Sequence, residues 1–268
     1  MDERWALVTG ATGGLGGEIS KDLLRLGYHL LAVGRDIESL ANISADWQEH
    51  IVDENQQIIE VCVDLQSPHA TREVMSYLGE KKLTVVVLAA ADYIYGSCTD
   101  IQQDRHIQLI QCNIATTSSL IQALLMYMDR YQNGHMLVIG SLGALMPTPF
   151  QGAYTSSKAW LHQFVASMQA ERRNAAVSLT LGCPGGMATS MLLDSPGWER
   201  LKRYPWVRYS ILSPQRVSKS VLRAMFARRL LIIPGRLNWL TALFMRHMPY
   251  AIRIRIGRLI YGSAIEEN

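Results

Sequence analysis

Two clusters of residues in this chain have types and spacings that could do chemistry. In YTSSK (residues 154–158) a phenol stands four residues ahead of an ammonium. On a helix, residues i and i+4 lie on one face, so Tyr154 and Lys158 can share one pocket. An isolated phenol titrates near pH ~10, too high for ready proton exchange at neutrality, and a neighbouring ammonium favours the phenolate. Such a pair suits general acid–base work on an oxygen atom. The second cluster is TGATGGLG (residues 9–16), which lies between an apolar segment and a helical one. Glycines let the backbone turn tightly and come close to a pyrophosphate, and the helix N-terminus after them offers free N–H groups. Thr9, Gly10, Thr12, Gly13, Gly14, Leu15 and Gly16 are the contacts expected of such a turn.

The two clusters lie far apart in sequence, so the fold must bring them together. RWALVT, HLLAVG, QIIEVCVD, TVVVLAA, HMLVIG, AVSLTLG and LLIIP (230–234) read as strands. Helical segments fall between them at residues 14–26, 36–53, 68–78, 104–131 and 153–173. Apolar strands alternating with helices predict βαβ units: a Rossmann-like, doubly wound parallel sheet of about seven strands, with helices on both faces. The length of 268 residues and the absence of linkers or repeats predict one domain over residues 1–268. Residues 190–215, rich in Pro, Trp and Tyr, fall where a substrate lid would sit.

Composition sets further bounds. The chain is 49% hydrophobic, enough for a sizeable core and unlike a disordered segment. Cys62, Cys98, Cys112 and Cys183 form no CxxC pair, so reduced thiols, a cytoplasmic location and no metal centre are expected. MDERWALVTG is acidic and passes straight into a strand, unlike a signal peptide. The net charge of +3 conceals an asymmetry. Residues 1–199 carry 12 Lys/Arg and 21 Asp/Glu, whereas residues 200–268 carry 14 Lys/Arg and only Glu266 and Glu267. The basic, apolar extension 236–268 therefore calls for packing over the substrate site, a subunit interface, a peripheral membrane contact or an acidic neighbour; nucleic acid is not an expected partner. Leu237, Leu240, Leu243 and Phe244 fit one helical face, while AIRIRI (251–256) fits a helix or a strand.

The spacing TGxxxGxG together with YxxxK resembles the short-chain dehydrogenase/reductase family, over nearly the whole chain. The resemblance implies a serine at the end of the fifth strand, which VIGSLGA supplies as Ser141, and an asparagine in the long helix, which QCNIATT supplies as Asn113. It implies that Tyr154 acts as acid in carbonyl reduction and as base in alcohol oxidation. Lys158 would tune the phenol and hold the nicotinamide ribose, Ser141 would orient the carbonyl oxygen, and Asn113 would hold a water near Lys158. Asp64, with Leu65 beside it, matches the adenine-contacting position. In CPGGMATS, residues Pro184, Gly185, Gly186, Met187 and Thr189 match the turn beside the nicotinamide. One departure is clear: where the family has NNAG after the fourth strand, this chain has Ala89, Ala90, Ala91 and Asp92.

In AVGRDIESL, Gly34 stands where NAD-preferring members carry Asp, and Arg35 is next. An arginine there welcomes a ribose 2′-phosphate, so NADP(H) is the expected cofactor and NAD(H) the alternative. Asp36 reads as the N-cap of the next helix. The resemblance implies an oligomeric ketoreductase. Met191, Trp198, Trp206 and Leu212 suggest a lipophilic substrate, and the basic surface suggests a carrier-bound one. A nucleotide-sugar epimerase or dehydratase, prompted by LAAA, and a non-catalytic dinucleotide-binding protein are the rival readings.

Overall fold

A computed structural model describes residues 3–196 and 198–261, without the side chains of Glu199 and Arg200. Glu266 and Glu267, and the rest of the extension beyond Tyr261, lie outside the described residues. The elements follow the alternation of the sequence. Strand β1 (Trp5–Thr9) leads into helix α1 (Gly14–Arg25), then β2 (His29–Gly34), α2 (Ile37–Trp47), β3 (Ile58–Cys62), α3 (Ala70–Ser76) and β4 (Leu83–Leu88). Next come α4 (Gln103–Ile110), a π-helical turn (Gln111–Thr116), α5 (Thr117–Asp129), β5 (Gly134–Ile139), α6 (Gly152–Glu171) and β6 (Val177–Gly182). Three short helices come after β6: α7 (Ser190–Leu193), α8 (Trp198–Leu201) and α9 (Pro205–Ser210). The chain then forms α10 (Pro214–Phe226), β7 (Leu231–Ile232), α11 (Arg236–His247) and α12 (Tyr250–Tyr261).

The strands form one parallel sheet in the order β3-β2-β1-β4-β5-β6-β7. Every residue of β1, β2 and β4 is buried, as a parallel sheet covered on both faces requires. Leu7, Val86 and Leu124 belong to the core on one face, and Val8, Val87 and Val221 to the core on the other. Strand order reverses between β1 and β4, which opens a crevice at the carboxyl ends of the central strands. The glycine turn after β1 and Ser141 after β5 both lie on that edge.

Two local readings change, and one left open is decided. The helix expected over 36–53 begins as the Asp36 cap demands, with its carboxylate accepting from Ser39 N–H at 2.7 Å, but α2 ends at Trp47. A 3-10 turn (Gln48–His50) follows, and beyond it buried Gln56 accepts from the N–H groups of Val52 and Asp53 and donates to the Leu24 and Tyr28 carbonyls. AIRIRI lies within helix α12, where Arg253, Ile256, Gly257 and Ile260 turn inward at helical spacing. Gly257 is needed because a Cβ there would come within 2.4 Å of the Pro147 carbonyl. The long helix 104–131 is interrupted by the π turn. The continuous run Gln103–Asp129 is long and apolar enough to cross a membrane by composition, yet much of it is buried against the sheet.

The π turn carries Asn113, which is 2% exposed. Its Oδ1 accepts from Asp92 N–H at 2.7 Å, and its Nδ2 donates to the Asp92 carbonyl at 2.9 Å and to Ser157 Oγ at 3.1 Å. One carboxamide thus holds the exit of β4, the π turn and helix α6 together. The Asp92 carboxylate adds an ion pair with Arg105 at 3.1 Å and accepts from Gln66 Nε2. This network fills the place of the missing NNAG run. Replacing Asn113 by Ala strands buried polar groups of the backbone, so Asn113→Ala is expected to lose about 2–3 kcal/mol of stability, read as a lower urea midpoint. An unchanged midpoint would mean that the clamp contributes nothing to stability.

Candidate active site

A cavity of about 360 Å³ runs along the carboxyl edge of the sheet. One end is lined by Gly10, Gly13, Gly14, Leu15 and Gly16. Gly10 has φ +68°, and a Cβ on it would lie 2.8 Å from Ala90 Cα, so the turn sits directly against the exit of β4. A Cβ on Gly16 would lie 2.1 Å from the Gly10 carbonyl oxygen. Helix α1 starts with no side-chain cap, which leaves its first N–H groups facing this end of the cavity. Bare backbone, uncapped N–H groups and a helix N-terminus fit a pyrophosphate. Across the cavity Thr189 approaches so closely that a Cβ on Gly14 would meet its Cγ2 at 2.7 Å.

Ser141, Tyr154, Lys158, Gly185 and Gly186 line the middle of the cavity. Ser141 caps a 3-10 turn, its Oγ accepting from Gly143 N–H at 3.1 Å, which fixes the hydroxyl at the end of β5. Tyr154 and Lys158 project from the first turns of α6. Lys158 is 3% exposed and donates to the Ile139 carbonyl at 3.0 Å, while its ammonium stands 5.9 Å from the Tyr154 ring centre. Burial pushes the Lys158 ammonium down to about 8, against the pull of Cys112 and Cys183. Burial also holds the Tyr154 phenol above its ordinary value, and the hydrogen bond with Ser141 draws it back. The Ser141 hydroxyl thus acts on the phenol directly, with the Lys158 ammonium close by on the same helix face. Tyr93 packs edge-on against Tyr154 at 5.2 Å between ring centres.

The other expected contacts divide clearly. Ala89, Ala91, Pro184, Met187 and Thr189 line the same cavity. Thr9 is buried and its Oγ1 accepts from Ala90 N–H, so both residues tie β1 to β4. Thr12 borders a smaller neighbouring cavity. Arg35 is exposed and outside the main cavity. Asp64 accepts from Gln66 N–H as a turn cap, and the Leu65 side chain is part of the core. Asn113 stands behind the wall, clamping Asp92 rather than facing the cavity. Among the described residues, no group of His, Cys, Asp and Glu could hold a metal ion.

The reading that residues 236–268 pack over the substrate site named none of the residues at the far end of the cavity. Leu201, Met245, Ile260 and Tyr261 line that end, alongside Met191, Trp198 and Trp206, which the sequence anticipated. Leu212, expected there too, instead pairs with Met187 in an isolated bridge. Buried Asn238 fastens α11 over this end, donating to the carbonyls of Ser210 and Pro234, and it fills the space where Gly185 lacks a side chain. Arg253 donates to the Leu145 carbonyl and fixes α12 beside Ser141. No local motif announces such residues; only their helical spacing does, once both segments are known to be helices.

His162 continues the face of Tyr154 and Lys158 by one more turn. Its Nε2 lies 2.8 Å from Cys183 Sγ, just before the Pro184 turn. Burial and the Lys158 charge push His162 down to about 4, so it stays neutral, and burial pushes the Cys183 thiol up to about 12. Lys158 is then the titrating group of this layer near neutral pH. Its folded value lies below its ordinary 10.5, so the native state sheds this proton first, and stability rises with pH between the two values. The burial penalty applies in full below the folded value and vanishes above the unfolded one. Relative to Lys158→Met, the wild-type chain is expected to gain about 1.5 kcal/mol between pH ~8 and ~9.5, measured by urea denaturation. Parallel pH profiles would contradict this.

Comparison with known proteins agrees with this geometry. Residues 4–200 match the family model described as short chain dehydrogenase. An uncharacterized oxidoreductase of Staphylococcus epidermidis is 27% identical over 202 residues, covering 75% of this chain and 86% of that protein. A 7beta-hydroxysteroid dehydrogenase structure superposes with a TM-score of 0.83 at 19% identity, covering 95% of this chain and 96% of the other. A short-chain dehydrogenase from Sphingobium yanoikuyae in complex with NADPH gives 0.76 at 19% identity, covering 93% and 97%. At such identities the two structures speak for the fold alone. Together with the family match over residues 4–200, the seven-stranded parallel sheet and the cavity at its carboxyl edge place this chain in the short-chain dehydrogenase family of oxidoreductases.

Proposed function

We propose that this chain is an NADP(H)-dependent reductase of a bulky, apolar ketone or aldehyde, and that the same site oxidises the corresponding alcohol. The observation that carries this reading is the meeting of Ser141, Tyr154 and Lys158 between a glycine-walled channel and an apolar chamber in one cavity. The glycine turn and the N-terminus of α1 would hold the pyrophosphate, and the Pro184–Thr189 turn would border the nicotinamide. The cofactor, when bound, supplies the hydride.

The chain's own residues have the remaining tasks. Ser141 donates to the substrate oxygen and fixes its direction. Tyr154 gives its proton to that oxygen as negative charge develops there, and takes it back in the oxidation direction. A phenol held high by burial is a poor donor to water but a suitable one to an alkoxide, whose proton affinity is greater. Lys158, kept close to the phenol by the Ile139 carbonyl, provides the nearest positive charge for the phenolate left behind. Asn113 acts indirectly, by holding Ser157 and therefore the start of α6.

Arg35, exposed just after β2, supports the NADP(H) preference: a guanidinium at this position suits a 2′-phosphate, and Gly34 brings no carboxylate to repel one. Related folds are described with NADPH and with NAD, so the preference rests on this chain's own residues. Trp198, Trp206, Met191, Met245 and Ile260 in the chamber support an apolar substrate.

The test is a panel of ketones with NADPH, read by loss of nicotinamide absorbance. Four extra buried methylenes at roughly 0.8 kcal/mol each should raise kcat/KM by about two orders of magnitude over a small polar ketone. Arg35→Asp should shift the preference toward NADH. Equal rates across the panel would remove the substrate reading, and an unchanged preference in Arg35→Asp would remove the cofactor reading.

A further inference from the structure

Helix α11 is amphipathic the wrong way round for a helix whose outer face meets water. Its inward stripe is Asn238, Thr241, Ala242 and Met245, two of them polar. Its outward face carries Leu237, Trp239, Leu240, Leu243 and Phe244, which are 37–68% exposed. Helix α12 extends the pattern with Ile252, Ile254 and Leu259, the last 72% exposed. Trp206 and Tyr209 on α9, which packs against α11, continue the apolar surface to the cavity rim. Exposed apolar side chains in this number on neighbouring helices mark a contact site.

Charge selects what it contacts. Arg236, Arg246, Arg255 and Arg258 are exposed on these two helices, and none is held in an ion pair among the described residues. From Leu201 to Ile265 the sequence has no Asp or Glu at all. A second copy meeting the same face would set arginines against arginines with no carboxylate between them. An anionic lipid surface offers what the face lacks: phosphates for the arginines and acyl chains for the apolar side chains. We propose that the outward face of α11 and α12, with the α9 rim, docks on the surface of an anionic bilayer. The docking stands apart from the proposed reaction. Only its corollary, that an apolar substrate passes from the bilayer into the cavity past Trp206, rests on the reading of that cavity as a substrate site.

The experiment is flotation of the full chain with vesicles of phosphatidylcholine alone and of phosphatidylcholine with phosphatidylglycerol. The chain should float with the anionic vesicles, and should be released at about 1 M salt, where the screening length is only about 3 Å. Leu240→Asp with Phe244→Asp, and separately Arg255→Gln with Arg258→Gln, should each weaken the binding by about tenfold or more. All four side chains point outward, so circular dichroism and thermal melting should match the wild type and show that a loss is not misfolding. The proposal is overturned if the wild type ignores anionic vesicles. It is overturned equally if the Asp pair leaves binding intact, or if the Asp pair dissociates a dimer that does not bind vesicles. Flotation reads no turnover, so its failure leaves the catalytic reading standing.

Discussion

The carboxamide of Asn113 is the constraint on which the site depends. A parallel sheet delivers strand ends to one edge, but it does not fix the path of the chain beyond each strand. Here one buried side chain satisfies both backbone groups of Asp92 after β4 and reaches Ser157 in the second turn of α6. The π turn that carries Asn113 is an irregular stretch in an otherwise regular helical run, and such turns recur at functional sites. Tyr154 and Lys158 flank Ser157 on α6, so their position relative to the sheet is set by this contact. The substitution of AAAD for the family's NNAG then has a local physical account. Ala90 packs against Gly10, and Asp92 gathers Arg105, Gln66 and Asn113 into one polar knot.

The features legible in the sequence are those that depend on short-range pattern. Strands such as LTVVVL could be read because burial on both faces demands a continuous apolar run, and the order of the elements implied the parallel sheet. The glycine turn and the Tyr154–Lys158 pair could be read because each is one turn of backbone in size. Other features depend on contacts between distant segments. Gln56 holds the loop beyond α2, Gly257 rests on Pro147 where AIRIRI is helical, and Thr9 and Ala90 share a bond across 81 positions. The same holds for the electrostatics: two residues on one face suggest a lysine acting on a phenol, and only the fold adds the hydrogen bond with Ser141, which follows β5.

The charge asymmetry also acquires a structural place. The acidic part of the chain contains six of the seven strands and the glycine-lined part of the cavity, while the basic part supplies β7 and helices α9, α10, α11 and α12, three of which border the far end of the cavity. One segment thus combines a pocket-facing inner surface with an apolar, arginine-bearing outer one. Asn238, hydrogen-bonded to the carbonyls of Ser210 and Pro234, keeps the inner surface in register with Gly185. The outer surface is free to meet a partner without disturbing the wall of the cavity.

In the proposed reaction Tyr154 transfers the proton at a site where the cofactor binds independently of it. The decisive variant is Tyr154→Phe, with NADPH affinity read by nicotinamide fluorescence and hydride transfer read in a single turnover with an apolar ketone. Affinity is expected to stay within about twofold while the transfer rate falls by about 10²–10⁴, the range of a positioned general acid. Equal loss of affinity and rate would make Tyr154 a binding residue, and an unchanged rate would contradict its role altogether.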